Sequence, residues 1–195
     1  IADGSRTRLA EAKNFFGIGA VSRDGRYVFV VEKTRALTAL LALNTETRER
    51  QVIHRSPSPA RFAYPRPSPD GSRVTIWIRP DRGSPRTLFL IDREQGSARP
   101  VVGNVSDVTW IEQPTENDGE NALRLALLHK NSNIPVTIVD PETLELRHSL
   151  ENEEHRFDRI VGMHEGTLYL SVEHGCELVA FTPGNEELVS HSVPY

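Results

Sequence analysis

Ser22-Arg23-Asp24-Gly25-Arg26-Tyr27-Val28-Phe29-Val30-Val31 and Ser68-Pro69-Asp70-Gly71-Ser72-Arg73-Val74-Thr75-Ile76-Trp77-Ile78 are two copies of one pattern. Each opens Ser-x-Asp-Gly, takes two further residues, and runs into β-branched and aromatic side chains. Asp-Gly beside such a run is a hairpin signal, because glycine accepts the positive φ that a tight turn demands. Gly25 and Gly71 are 46 residues apart. Weaker copies follow at Asn117-Asp118-Gly119, 48 residues on, and at Glu165-Gly166, another 47 on.

A second series interleaves with the first. It reads Leu40 to Ile53, Leu88 to Val102, Val136 to Leu150 and Glu177 to His191, each an apolar strand, a polar turn and a second strand. Its anchors, Asn44, Asp92, Asp140 and Thr182, are spaced 48, 48 and 42. Two series sharing one period give four short strands per unit. In the second unit they are Phe62–Ser68, Arg73–Arg79, Thr87–Ile91 and Ala98–Val102. Four antiparallel strands in ~40–50 residues is the blade of a β-propeller. The expected fold class is therefore all-β, a propeller of four-stranded antiparallel blades. Residues 17–55, 61–103, 105–150 and 157–195 are its four blades, and 1–16 is the end of a preceding one. That surplus strand, together with a final blade that already has an outer strand in Glu187–Val193, predicts part of a larger propeller. A four-bladed ring with an added N-terminal strand is the rival arrangement. Ala36 to Leu43 and Asn121 to Leu128 have helix-prone Ala/Leu composition, but the repeat register predicts strands in both.

The Ser-x-Asp-Gly unit, in Ser22-Arg23-Asp24-Gly25 and Ser68-Pro69-Asp70-Gly71, resembles the repeat of TolB-like and prolyl-oligopeptidase-type propellers. The stretch Tyr64 to Ile78 is its nearest copy. Val136 to Leu150 looks like the strand–turn–strand of surface-layer and lactonase-type propellers. The resemblance implies the architecture but not one function, because this fold hosts binding proteins, peptidase gates, lyases and lactonases. Were the prolyl-oligopeptidase likeness the right one, the catalytic domain would be a separate segment.

Composition narrows the function classes. The 195 residues are 37% hydrophobic and 26% charged, with a net charge of −4. Twenty of the 23 basic residues are Arg, scattered among acids, so no nucleic-acid surface is expected. No apolar run nears the ~20 residues that span a bilayer, so no membrane partner is expected. Cys176 is the only cysteine, which leaves no internal disulfide and reads as a buried thiol. There is no Gly-x-Ser-x-Gly elbow and no Gly-x-x-x-x-Gly-Lys loop.

Candidate ligand contacts lie where a propeller's first strands and their lead-in loops line its axis. His54 and His155 precede first strands, and Tyr64 and His164 lie in or just after such strands. Arg55, Arg61 and Arg66, in a proline-rich stretch, are suited to hold a carboxylate bidentately. The site set is thus His54, Arg61, Tyr64, Arg66, His155 and His164, with no metal or cofactor implied, since no His-x-x-x-His pair occurs. Glu151 to Glu154 and Glu116 to Glu120 read as solvated loops, and Asn104-Val105-Ser106 as a glycosylation acceptor only in a secreted eukaryotic protein. The function expected is non-catalytic binding of a protein or peptide through a loop face or the channel. The alternative is the propeller of an enzyme, either a peptidase gate or a lyase or lactonase.

Overall fold

The computed structural model describes residues 19–101, 104–114, 121–130, 132–152, 155–172, 177–184 and 188–192. They form strands and turns with no helix. The chain divides into two compact units, residues 1–101 and 102–195. The predicted preceding-blade segment 1–16, the Asn117-Asp118-Gly119 turn, His174 and Cys176 lie outside the described residues.

The first unit holds two four-stranded antiparallel sheets. One runs β1 (Ala20–Val21), β2 (Tyr27–Lys33), β3 (Leu37–Asn44) and β4 (Arg50–Pro57). The other runs β5 (Arg61–Pro67), β6 (Arg73–Arg79), β7 (Thr87–Asp92) and β8 (Ala98–Pro100). The second unit repeats the arrangement. Its sheets are β9 (Val105–Pro114), β10 (Asn121–His129), β11 (Val136–Val139), β12 (Leu146–Leu150), and β13 (Phe157–His164), β14 (Thr167–Val172), β15 (Glu177–Phe181), β16 (Leu188–Ser192). In each sheet the strands neighbour one another in chain order.

The two repeat series are two kinds of turn. In the first, the Ser22 hydroxyl donates to Asp24 Oδ1 at 2.6 Å and accepts the Tyr27 N–H at 3.0 Å. Asp24 Oδ1 also takes the Arg26 N–H at 3.0 Å. Ser68, Asp70, Ser72 and Arg73 repeat these contacts at 2.6, 3.0 and 3.1 Å. The Ser22 hydroxyl, then the Arg26 N–H, hold the Asp24 carboxyl below its usual range. At Asp70, burial raises the pKa, but the hydrogen bonds from Ser68 and Ser72 outweigh it and the carboxyl ends below its usual range. In the second series, Asn44, Asp92 and Asp140 each accept two backbone N–H groups, from residues two and three positions on, at 2.8–3.3 Å. The fourth residue past each anchor then turns left-handed: Arg48 at φ 63°, Gly96 at 65° and Leu144 at 61°. Only sheet two has glycine there. Arg48 is exposed, and a non-glycine residue in this region costs about 1–2 kcal/mol. Glycine loses more chain entropy on folding, so Arg48→Gly is expected to stabilise by about 0.5–1 kcal/mol, read as a rise in the urea midpoint at constant m. A fall in the midpoint would count against this account of the turn.

Each unit has its own core. Phe29, Val31, Leu40, Ala42 and Ile53 of the first sheet pack with Phe62, Val74, Ile76, Ile78 and Ile91 of the second. In the other unit, Ile111, Ala126, Leu128 and Ile138 pack with Phe157, Leu168, Leu170, Val179 and Phe181. The helix-prone Ala36 to Leu43 forms β3, where Thr38 through Leu43 are all buried. Burial of both faces of that strand overrides the local preference. Asn121 to Leu128 likewise lies in β10.

Candidate ligand-contact site

Three of the six candidate residues share one strand. β5 is the first strand of its sheet, and its pairing with β6 slips between Ala63 and Arg66. Phe62 and Pro65 point into the packed interior, whereas Arg61, Tyr64 and Arg66 are exposed. The bulge falls at Tyr64-Pro65, where proline has no N–H to give a ladder. Tyr64 sits at φ 54° with 67% of its surface exposed. An aromatic residue held left-handed on an open surface is strained without a packing return, and such positions cluster at functional sites. Arg66 resumes the ladder opposite Thr75, and Arg61 lies directly opposite Arg79.

His54 lies elsewhere than the lead-in loop expected for it. It is within β4, opposite Leu40, because that strand stays paired with β3 as far as Pro57. Its ring packs against Phe62, with centroids 5.6 Å apart, and burial lowers its pKa. It is a packing group against Phe62 of β5. In the second unit, His155 precedes β13 and stacks on Phe157 with centroids 6.1 Å apart. Its backbone N–H donates to Asn152 Oδ1 at 2.7 Å, and its buried Nδ1 has no hydrogen-bond partner. His164 ends β13 in the open, with Nε2 3.8 Å from Glu165 Oε1. The Glu165-Gly166 turn beside it has φ 47° and 78°, a two-residue hairpin with two left-handed positions. Among the described residues, no three His, Cys, Asp or Glu side chains gather as metal ligands.

One cleft escaped the sequence reading. Tyr27, Asn44, Glu49, Arg50, Gln51 and Arg93 line about 400 Å³ in the first unit. The Arg93 guanidinium covers the Tyr27 ring at 4.2 Å. Its Nε donates to Gly71 O at 3.1 Å and its Nη1 to Gln51 Oε1 at 3.3 Å. Gln51 answers by donating to Arg93 O at 2.9 Å. Arg50 donates to Glu32 at 2.6 Å. Most donors here are spent on the protein, so the cleft joins the two sheets of the unit. The available signal was position: Arg93 follows anchor Asp92 as Thr45 follows Asn44, and Thr45 Oγ1 likewise donates to the turn oxygen of Gly25 at 2.9 Å.

The four sheets, in chain order and without helices, match solved propellers. Oligogalacturonate lyase in complex with manganese aligns at a TM-score of 0.64 and 14% identity, over 97% of this chain and 56% of that one. U3-55K aligns at 0.61 and 11%, over 94% and 54%. The fold is that of a β-propeller. TolB from Acinetobacter baumannii is also matched, at 0.44 and 14%, over 96% of this chain and 59% of that one. The chain spans about half the length of the solved propellers it matches. No family model matches the chain and no curated protein is similar to it. The first strand of its sheet, β5, carries Arg61, Tyr64 and Arg66 together.

Proposed function

We propose that this chain is a non-catalytic propeller module that binds a protein or peptide partner, with Tyr64 as its anchoring contact. The observation that carries the reading is the strained, exposed tyrosine in the β5 bulge. Tyrosine offers a large amphipathic contact area at low entropic cost, and Arg61 and Arg66 on either side supply charged hydrogen bonds.

The experiment selects peptides from a displayed random library against the purified chain, then measures their affinity for Tyr64→Gly. Glycine relieves the left-handed strain, so the variant is expected to be no less stable than the parent. Its affinity for the selected peptides is expected to fall about 30-fold, the ~2 kcal/mol typical of an aromatic anchor. Unchanged affinity would remove Tyr64 from the site. Cleavage of oligogalacturonate by the chain with manganese would replace the binding reading with an enzymatic one.

A further inference from the structure

One end of the first unit is rich in arginine. The β2–β3 hairpin, the β4–β5 connection and the β6–β7 hairpin all lie at that end, because each joins strands that run antiparallel. Ser58 N–H donates to Ala36 O at 2.9 Å, and Thr38 Oγ1 donates to Ala60 O at 2.7 Å. These bonds hold the first hairpin against the connection. They bring Arg35, Arg55 and Arg61 to one surface, and Arg79, Arg82 and Arg86 join them from the second sheet. All but Arg79 are exposed. Arg61 and Arg79 are directly opposed across the β5–β6 ladder. Like charges so placed are destabilising, and no described carboxylate sits between them. Arg86 is oriented by stacking over Trp77 at 4.6 Å. Two described carboxylates lie at this end and both are engaged: Glu32, on the register row of Ala39 and Arg55, accepts from Arg50 at 2.6 Å, and Asp81 is held by its own turn. Asp81 accepts the Gly83 and Ser84 N–H groups and the Ser84 hydroxyl, each at 2.8 Å. The opposite end of the unit is mixed, with Asp24, Glu46, Asp70 and Asp92 among its arginines.

We propose that this basic end docks an acidic protein segment. The inference rests on the reading of the chain as a binding module and adds the chemistry of its partner. Guanidinium pairs carboxylate bidentately, and facing arginines about 5 Å apart suit the alternate carboxylates of an extended acidic run, ~6.5 Å apart. Charge alone suits a phosphate backbone as well as an acidic segment. The acidic segment is favoured because the aromatic ring among these arginines, Trp77, is buried beneath Arg86 and offers no face for base stacking, while Tyr64 on β5 is a single exposed ring.

The test is fluorescence anisotropy of the whole chain with a labelled peptide of alternating Glu and Ser, a neutral Gln/Ser peptide, and a single-stranded RNA of matched charge. The acidic peptide is expected to bind, to weaken as salt rises, and to lose at least tenfold in affinity in Arg61→Ser/Arg82→Ser. Arg35→Ser/Arg86→Ser is a second variant that leaves the ladder intact, with the same expected loss. Arg26→Ser/Arg48→Ser, at the opposite end, is expected to change affinity less than twofold. Equal losses at both ends would overturn the proposal in favour of a net-charge effect, as would tighter binding of the RNA. Absence of acidic-peptide binding, while library-selected peptides still bind through Tyr64, overturns this surface alone. Absence of both overturns the binding reading with it.

Discussion

Gly71→Ala is expected to lower stability by about 3 kcal/mol, and Gly25→Ala by only about 1 kcal/mol, although the two glycines hold the same place in the repeat. Both adopt left-handed backbone, with φ 68° and 74°. Alanine there costs about 1–2 kcal/mol, offset in part by a less flexible unfolded chain. The difference lies in the surroundings. A Cβ on Gly25 meets nothing within 4 Å, whereas one on Gly71 falls 2.8 Å from Tyr27 Cδ2 and 3.2 Å from Ser22 Cβ. Tyr27 cannot readily yield, because Arg93 covers its ring at 4.2 Å and is itself tied to Gly71 O and Gln51. Overpacking of this kind adds about 1–3 kcal/mol. The measurement is the urea midpoint of each variant at unchanged m. Equal losses would show that the turn conformation alone matters and that the sheets are not locked at this point.

That contrast marks what the sequence made legible. The Ser-x-Asp-Gly copies located the turns, since a hydroxyl, a carboxylate and a glycine at fixed spacing have one local solution. The strands of the second sheet followed within one or two residues, with β8 ending at Pro100 rather than Val102. What stayed hidden depends on the third dimension. Gly25 and Gly71 are alike in sequence, and only the packing of Tyr27 separates them. Arg-Phe-Ala-Tyr-Pro-Arg reads as a plain strand, and the bulge that throws Tyr64 outward appears only in the slipped register of β5 and β6. His54 looked like a loop residue because Pro57 and Pro59 follow it closely. The ladder with β3 runs past it to Leu37 and Pro57, which buries the ring against Phe62. The arginines of the basic end are scattered through the sequence and meet only because three connections share one end of the unit.

Leu40→Ala is expected to cost about 3–4 kcal/mol, the loss of a fully buried leucine with little freedom for its surroundings to collapse. Leu40 is completely buried at the middle of β3, between Val31 on β2 and His54 on β4. It belongs to the core that joins the two sheets of the first unit. A second effect acts in the same direction. Ala36 to Leu43 is a strand only because burial overrides its composition, and alanine is the residue most favourable to helix. The substitution therefore weakens the override while strengthening the local preference it opposes. Leu40→Ile separates the two contributions: it keeps the volume and favours strand, so it is expected to cost less than about 1.5 kcal/mol. Val21→Ala, at an exposed position of the same sheet, is expected to stay within about 0.5 kcal/mol. Denaturant midpoints for the three variants order them Leu40→Ala, Leu40→Ile, Val21→Ala. If the isoleucine variant lost as much as the alanine one, neither the cavity nor the helix preference would explain the loss, and the shape of the Leu40 side chain against Val31 and His54 would be what holds the two sheets together.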